Sequence, residues 1–152
     1  MPTIVAASDA AWVRDHVRAA LCGPGFEVID VERGHDVRKA VADRQPDLVI
    51  VDLQIGNMGG MAVSIDLRLE ESGGRLPHVP ILILLDREAD RFLARRSTAD
   101  AMLVKPIDPG TLRRTVKTLL AAEDARRAAA ADPVLDPGPG GETPSGPQEQ
   151  VG

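Results

Sequence analysis

Two aspartates and one lysine are the residues of this sequence whose types and positions suggest chemistry. Asp9 follows the short apolar run Thr3 to Ala7, Asp52 closes the run Asp47-Leu48-Val49-Ile50-Val51-Asp52, and Lys105 closes Ala101 to Val104. Together they make a site of two carboxylates and one ammonium. Converging carboxylates repel each other and favour a divalent cation, and hard oxygen ligands of limited charge suit magnesium, which also keeps several waters or phosphate oxygens. Asp52 then serves as nucleophile, while metal and ammonium neutralise the charge on an incoming phosphoryl group, most of what catalysis of that transfer requires. Lys105 also stands out by composition, because the chain uses 15 arginines and only three lysines, and a compact ammonium fits a phosphate. Taken singly, Asp9 reads as an N-cap for the following helix, and Ser8 as a still better one. Asp52 gains weight from the glycine-rich loop that follows it and from its register with Lys105.

The elements that position these residues alternate. Thr3 to Ala7 predicts a strand, and Ala10, Val13, Val17, Ala20 and Leu21 place one apolar stripe on a helix that Gly23-Pro24-Gly25 stops. Phe26 to Val31 predicts a second strand, and Val37, Ala40 and Val41 a second helix. The third strand, apolar and closed at both ends by aspartate, has the pattern of a central parallel strand. Met61 to Leu69 alternates apolar and polar residues with the period of a half-buried strand. Its helix formers and its place between two strands predict helix instead. Ile81 to Leu85 predicts a fourth strand, and Ala89, Phe92, Leu93 and Arg96 the stripe of a helix across Asp86 to Ser97. After the fifth strand, Asp108-Pro109 reads as an N-cap with proline at the first helical position, and Leu112, Val116 and Leu119 as the buried stripe. Alanine-rich Ala121 to Ala131 extends this helix. Five strand and helix pairs imply an α/β fold, a doubly wound parallel sheet with right-handed crossovers, whose ligands bind at the carboxyl ends of the strands.

At these positions the sequence resembles the receiver domain of two-component response regulators, over residues 3 to about 120. Asp52-Leu53-Gln54-Ile55-Gly56-Asn57-Met58-Gly59-Gly60 is similar to the family's phosphoacceptor segment, Asp-Leu-x-Leu-Pro-Gly-Met-Asp-Gly, and Lys105-Pro106-Ile107-Asp108 to its Lys-Pro-Phe-Asp. The resemblance implies a (βα)5 flavodoxin-like sheet in the strand order 2-1-3-4-5. It also implies a phosphoryl group accepted on Asp52 from a histidine kinase or phosphotransfer protein, and magnesium (Mg2+) on Asp9, Asp52 and the backbone carbonyl of Gln54. Lys105 then contacts the phosphate, with a cis peptide before Pro106. Four departures accompany it. Ser8 replaces one of the family's acidic pair after the first strand. Leu85 stands where the family has a Ser or Thr that binds the phosphate, and Met102 where it usually has an aromatic residue that moves with that hydroxyl. Gly56 and Gly59 replace Pro and Asp, and Thr98 replaces Gly. These substitutions make an atypical receiver with degenerate switch positions.

Composition bounds the rest. The last 21 residues, from Asp132, hold five of 12 prolines, five of 14 glycines and −4 of the net charge of −5. Such a stretch is expected to stay disordered, which divides the chain into a receiver over 1–122, a helical extension over 123–131 and an acidic tail over 132–152. A nearly neutral body with Trp12, Phe26 and Phe92 as its only aromatics lacks the basic field and stacking platforms of a nucleic-acid binder. One cysteine, Cys22, excludes an intramolecular disulfide and is expected to pack as a small hydrophobe. The start Met1-Pro2-Thr3-Ile4 is unlike a signal peptide, and the longest apolar run, Ile81 to Leu85, is far short of a bilayer span. Cytoplasm is the expected compartment. His16, His35 and His78 have no metal-ligand spacing and read as surface or loop residues. Arg87, Arg91, Arg95, Arg113, Arg114 and Lys117 would put base on the fourth and fifth helices, a surface for a downstream protein partner or simply a solvated face.

The leading expectation is a stand-alone receiver, not an enzyme in the ordinary sense. The alternative is a pseudo-receiver that binds proteins without phosphorylation, favoured by Ser8, Leu85 and Met102. An aspartate-nucleophile phosphatase wants an acid two residues after Asp52, where Gln54 stands. A flavodoxin-like cofactor protein wants a phosphate-cradling glycine loop in place of Ser8-Asp9-Ala10-Ala11.

Overall fold

The computed structural model describes residues 1–131 other than Cys22, Pro24 and Asn57; the readings for Cys22 and the 132–152 tail lie outside the described residues. The chain alternates through β1 (Thr3–Ala7), α1 (Ala11–Leu21), β2 (Glu27–Val31), α2 (Val37–Arg44), β3 (Leu48–Asp52), α3 (Gly60–Ser72), β4 (Ile81–Leu85), α4 (Arg91–Ala94), β5 (Ala101–Val104) and α5 (Pro109–Ala130). All strand pairs are parallel and the order is β2-β1-β3-β4-β5, as the alternation and the resemblance predict.

Strand side chains alternate between two cores. Val5, Val49, Val51, Ile81, Ile83 and Leu85 face Val37 and Val41 of α2, Val63 and Leu67 of α3 and Ala94 of α4. Ile4, Ala6, Leu48, Ile50, Leu82 and Leu84 face Val13, Val17 and Leu21 of α1 and Leu112 and Val116 of α5. β3 and β4 are buried along their whole length, which is why they read as continuous apolar runs. Asp108 caps α5 by accepting the Thr111 N–H at 2.8 Å, and no helix among the described residues is long and apolar enough to cross a membrane.

Two segments separate apolarity from burial. In α3 the buried positions are Gly60, Val63, Ser64, Leu67 and Glu70, a helical spacing. Ile65 and Leu69, two members of the alternating pattern, are 40% and 62% exposed. The fourth helix corrects the expectation more strongly. A 3-10 turn over Glu88–Asp90 leads into an α-helix of only four residues. Phe92 and Leu93 are 65% and 47% exposed, while Asp90, Ala94 and Ser97 are buried. The inward positions carry small or hydrogen-bonded side chains: Ser97 donates to the Ala94 carbonyl and Asp90 accepts the Arg87 N–H. Apolar content therefore pointed to the wrong face, and of the three arginines expected on this helix only Arg91 lies within it.

Candidate functional site

Asp52, Asp9 and Lys105 converge at the carboxyl ends of β3, β1 and β5. Asp52 is 2% exposed and its carboxylate accepts three hydrogen bonds. The Lys105 ammonium donates to Oδ1 at 2.8 Å, the Gln54 N–H donates to the same oxygen at 3.2 Å, and the Ser8 hydroxyl donates to Oδ2 at 2.8 Å. Ser8 is itself fixed. Its Oγ accepts the Ala10 N–H, its N–H donates to the Val31 carbonyl, and its carbonyl accepts from Arg14. A hydroxyl at this position thus supplies a proton to Asp52 where the family's carboxylate would add a charge.

Asp9 is exposed, and its Oδ2 accepts the Gly56 N–H at 3.0 Å across the loop after β3. The approach is close: a Cβ on residue 56 would sit 2.9 Å from that same oxygen, and the exposed Asp9 side chain would turn aside to admit it. Gly60 is needed: its Cβ would lie 2.7 Å from the Asp52 carbonyl oxygen, so the start of α3 packs directly on the strand end that carries Asp52.

Lys105 reaches Asp52 from the other side, and the peptide to Pro106 is cis. Its side chain is 10% exposed, and it divides its ammonium between Asp52 and Asp86 Oδ1, the latter at 2.9 Å. Burial pulls this ammonium down, but the hydrogen bonds to Asp52 and Asp86 outweigh it and hold the pKa above the ordinary lysine value. The indole of Trp12, on the exposed side of α1, lies 5.7 Å from the Lys105 nitrogen.

The two switch positions are apolar in structure as in sequence. Leu85 is fully buried in the core under α2 to α4, and Met102, opposite Ile83 in the sheet, packs against the same cluster. Thr98 takes a left-handed backbone with φ 55, a conformation that suits the family's glycine. Here its hydroxyl lies 3.3 Å from that of Ser64 and its carbonyl accepts from Arg68. His78 lies in a loop, as the sequence suggests, with its side chain 20% exposed between Glu71 and Glu123. Of the basic residues assigned to the fifth helix, Arg113 donates to the Ala20 carbonyl at the end of α1, so it is taken up by helix packing.

Sequence reasoning missed two contacts, Ser8 to Asp52 and Asp86 to Lys105. The second follows from the strand register: residues 86 and 105 each follow directly on neighbouring strands whose register pairs Leu85 with Val104.

A parallel sheet in this order, with acidic residues and a lysine gathered at its strand ends, defines a flavodoxin-like α/β domain of the receiver type. The chain belongs to the response regulator receiver domain family, whose profile matches residues 4–117. It is similar to the transcriptional regulatory protein GltR of Pseudomonas aeruginosa, 31% identical over 78% of this chain and 48% of that protein. It is also similar to the protein PilH of the same species, 27% identical over 80% of this chain and 99% of PilH. The chain thus spans about half of GltR and nearly all of PilH. Among solved structures, the chemotaxis response regulator CheY4 of Vibrio cholerae aligns with a TM-score of 0.69 at 24% identity, over 78% of this chain and 98% of that one. The receiver domain of the sensor histidine kinase PA1611 of Pseudomonas aeruginosa, solved with a magnesium ion in its active site cleft, aligns at 0.70 and 21%, over 79% and 98%. These two likenesses speak to the fold.

Proposed function

We propose that this chain is a receiver that accepts a phosphoryl group on Asp52 from a histidine kinase or phosphotransfer protein in phosphorelay signalling. The observation that carries this reading is the buried Asp52 carboxylate with the Lys105 ammonium 2.8 Å away at a carboxyl strand end, in a chain of the receiver family. In the transfer, a carboxylate oxygen of Asp52 attacks phosphorus, the bond from phosphorus to the donor imidazole nitrogen breaks, and the imidazole leaves with the bonding electron pair and picks up a proton. Ser8 and Gln54 hold the carboxylate in one orientation, and Lys105 faces the charge that develops on the phosphoryl oxygens.

Among the described residues no group of three or more His, Cys, Asp or Glu side chains is arranged to hold a metal. The donor set is instead two carboxylates, Asp9 and Asp52, with the Gln54 carbonyl. These hard oxygen donors would suit magnesium, an ion that also keeps several waters. When bound, magnesium supplies charge neutralisation at the phosphoryl oxygens. Downstream, α4 and α5 with Arg91, Arg114 and Lys117 offer a surface to a protein partner, and the setting is the cytoplasm. The module is not an enzyme in the ordinary sense.

A second reading, a protein-binding pseudo-receiver that works without phosphorylation, is favoured by the buried Leu85 and by Ser8. Intact-mass spectrometry after incubation with a small-molecule phosphoryl donor and magnesium separates the two. One added phosphoryl group on the wild type and none on Asp52→Asn is the expected result. An unmodified wild type transfers the assignment to the pseudo-receiver, and label on the mutant refutes the site.

A further inference from the structure

Just beyond β4 the site holds a further carboxylate, Asp86, whose Oδ1 lies 2.9 Å from the Lys105 nitrogen. Lys105 thereby serves two carboxylates at once, Asp52 at 2.8 Å and Asp86 at 2.9 Å. An ammonium has three donors and one unit of charge. A phosphoryl group on Asp52 brings more negative charge than the carboxylate it replaces and needs that same ammonium. Asp86, held within a few ångströms of the same nitrogen, opposes the newcomer twice: it already occupies a donor, and it repels the anion.

We propose that Asp86 is an internal competitor for Lys105, a positioning residue that acts through the ammonium to limit how tightly a phosphoryl-like anion is held at Asp52. This rests on the reading of Asp52 as phosphoacceptor. The Asp86 side chain is 40% exposed, so it is free to swing into solvent when Lys105 turns to the anion. The competition therefore weakens anion binding without blocking it. Because Asp52 ends β3 and Asp86 and Lys105 directly follow β4 and β5, the contact is set by sheet register and needs no rearrangement of the core.

The test uses the full chain, magnesium and beryllofluoride, a stable mimic of the phosphoryl group. The single tryptophan of the sequence, Trp12, is 5.7 Å from Lys105, so its emission reports occupancy directly. Asp86→Asn is expected to lower the apparent Kd for beryllofluoride about three- to tenfold at low salt, and the advantage shrinks as salt is added. Asp86→Glu, which keeps the charge within reach of Lys105, stays within about twofold of wild type. A residue that only supports the fold would change melting temperature and leave the Kd and its salt dependence unmoved. Equal affinity of wild type and Asp86→Asn, both folded by circular dichroism, overturns the inference and leaves the phosphoacceptor reading standing. If neither protein takes beryllofluoride, the phosphoacceptor reading falls and this inference falls with it.

Discussion

A hydroxyl at position 8 changes the electrostatics of Asp52 more than its size suggests. The Ser8 proton stabilises one Asp52 oxygen at 2.8 Å, whereas a carboxylate in that buried place, 1% exposed, would face Asp52 as a like charge unless a metal bridged them. Serine therefore gives Asp52 a hydrogen-bond donor in place of a second charge. Ser8→Asp is expected to tighten magnesium binding about tenfold, a typical effect of one added group near a metal, and to lower the melting temperature in chelator but not in excess magnesium. Titration calorimetry with magnesium chloride reads the first effect and thermal unfolding the second. Unchanged affinity would show that residue 8 does not face the ion.

At the scale of elements, β4 and β5 differ from a switching receiver through Leu85 and Met102. With no hydroxyl at the end of β4, a phosphoryl group on Asp52 would gain no contact from residue 85 that exists only in the modified state, and a ligand shifts a two-state equilibrium only by its differential affinity. The buried Leu85 also packs the end of β4 into a fixed core. Amide NMR with and without beryllofluoride is expected to show small shifts over residues 86–104 of the wild type and larger ones in the Leu85→Thr/Met102→Tyr double variant. Equal, large shifts in both would mean that another contact drives the change.

The long α5 is governed by one buried acid. Glu123 is 5% exposed; Arg126 donates to both of its oxygens at 3.0 and 3.1 Å, Arg127 donates to one at 2.9 Å, and His78 stands 3.4 Å away. Burial alone would raise its pKa, but the Arg126 bonds, the His78 charge and the Arg127 bond together hold it below the ordinary carboxylate value. A group depressed in this way contributes stability that is present above its unfolded pKa and lost as pH falls through the folded one. Glu123→Gln is expected to cost about 1 to 2 kcal/mol near neutral pH. Denaturant melts should show the gap between variant and wild type closing below the ordinary carboxylate range. A gap constant from neutral to acid pH would assign the loss to packing.

For the whole molecule, two apolar layers around one sheet complete the core within residues 4–116. The 132–152 segment has the composition of chain that cannot repay its ordering entropy. Truncation after Ala131 is therefore expected to leave the melting temperature within about 4 °C, the shift that roughly 1 kcal/mol produces in a domain of this size. An earlier melt would mean that the segment docks. The same segment carries −4 of the net −5, so the truncated chain should be nearly neutral by electrophoretic mobility at pH 7.

What the sequence determined by itself is what lies along one dimension. Unbroken apolar runs marked the fully buried β3 and β4, mixed or shorter runs marked the other strands, their alternation with helical stripes set the parallel sheet, and the residues at or just past three strand ends picked out Asp9, Asp52 and Lys105. Amphipathic period served where one face is buried and misled where helix and sheet meet at small or hydrogen-bonded residues. Asp90, Ala94 and Ser97 turned inward and Phe92 outward, which no apolar count foretells. Only the tertiary structure decided that Ser8 donates to Asp52 across 44 positions and that Asp86 shares Lys105 across 19. Those contacts depend on strand order and register, and a sheet creates them by bringing distant strand ends to neighbouring places that the spacing of residues along the chain does not encode.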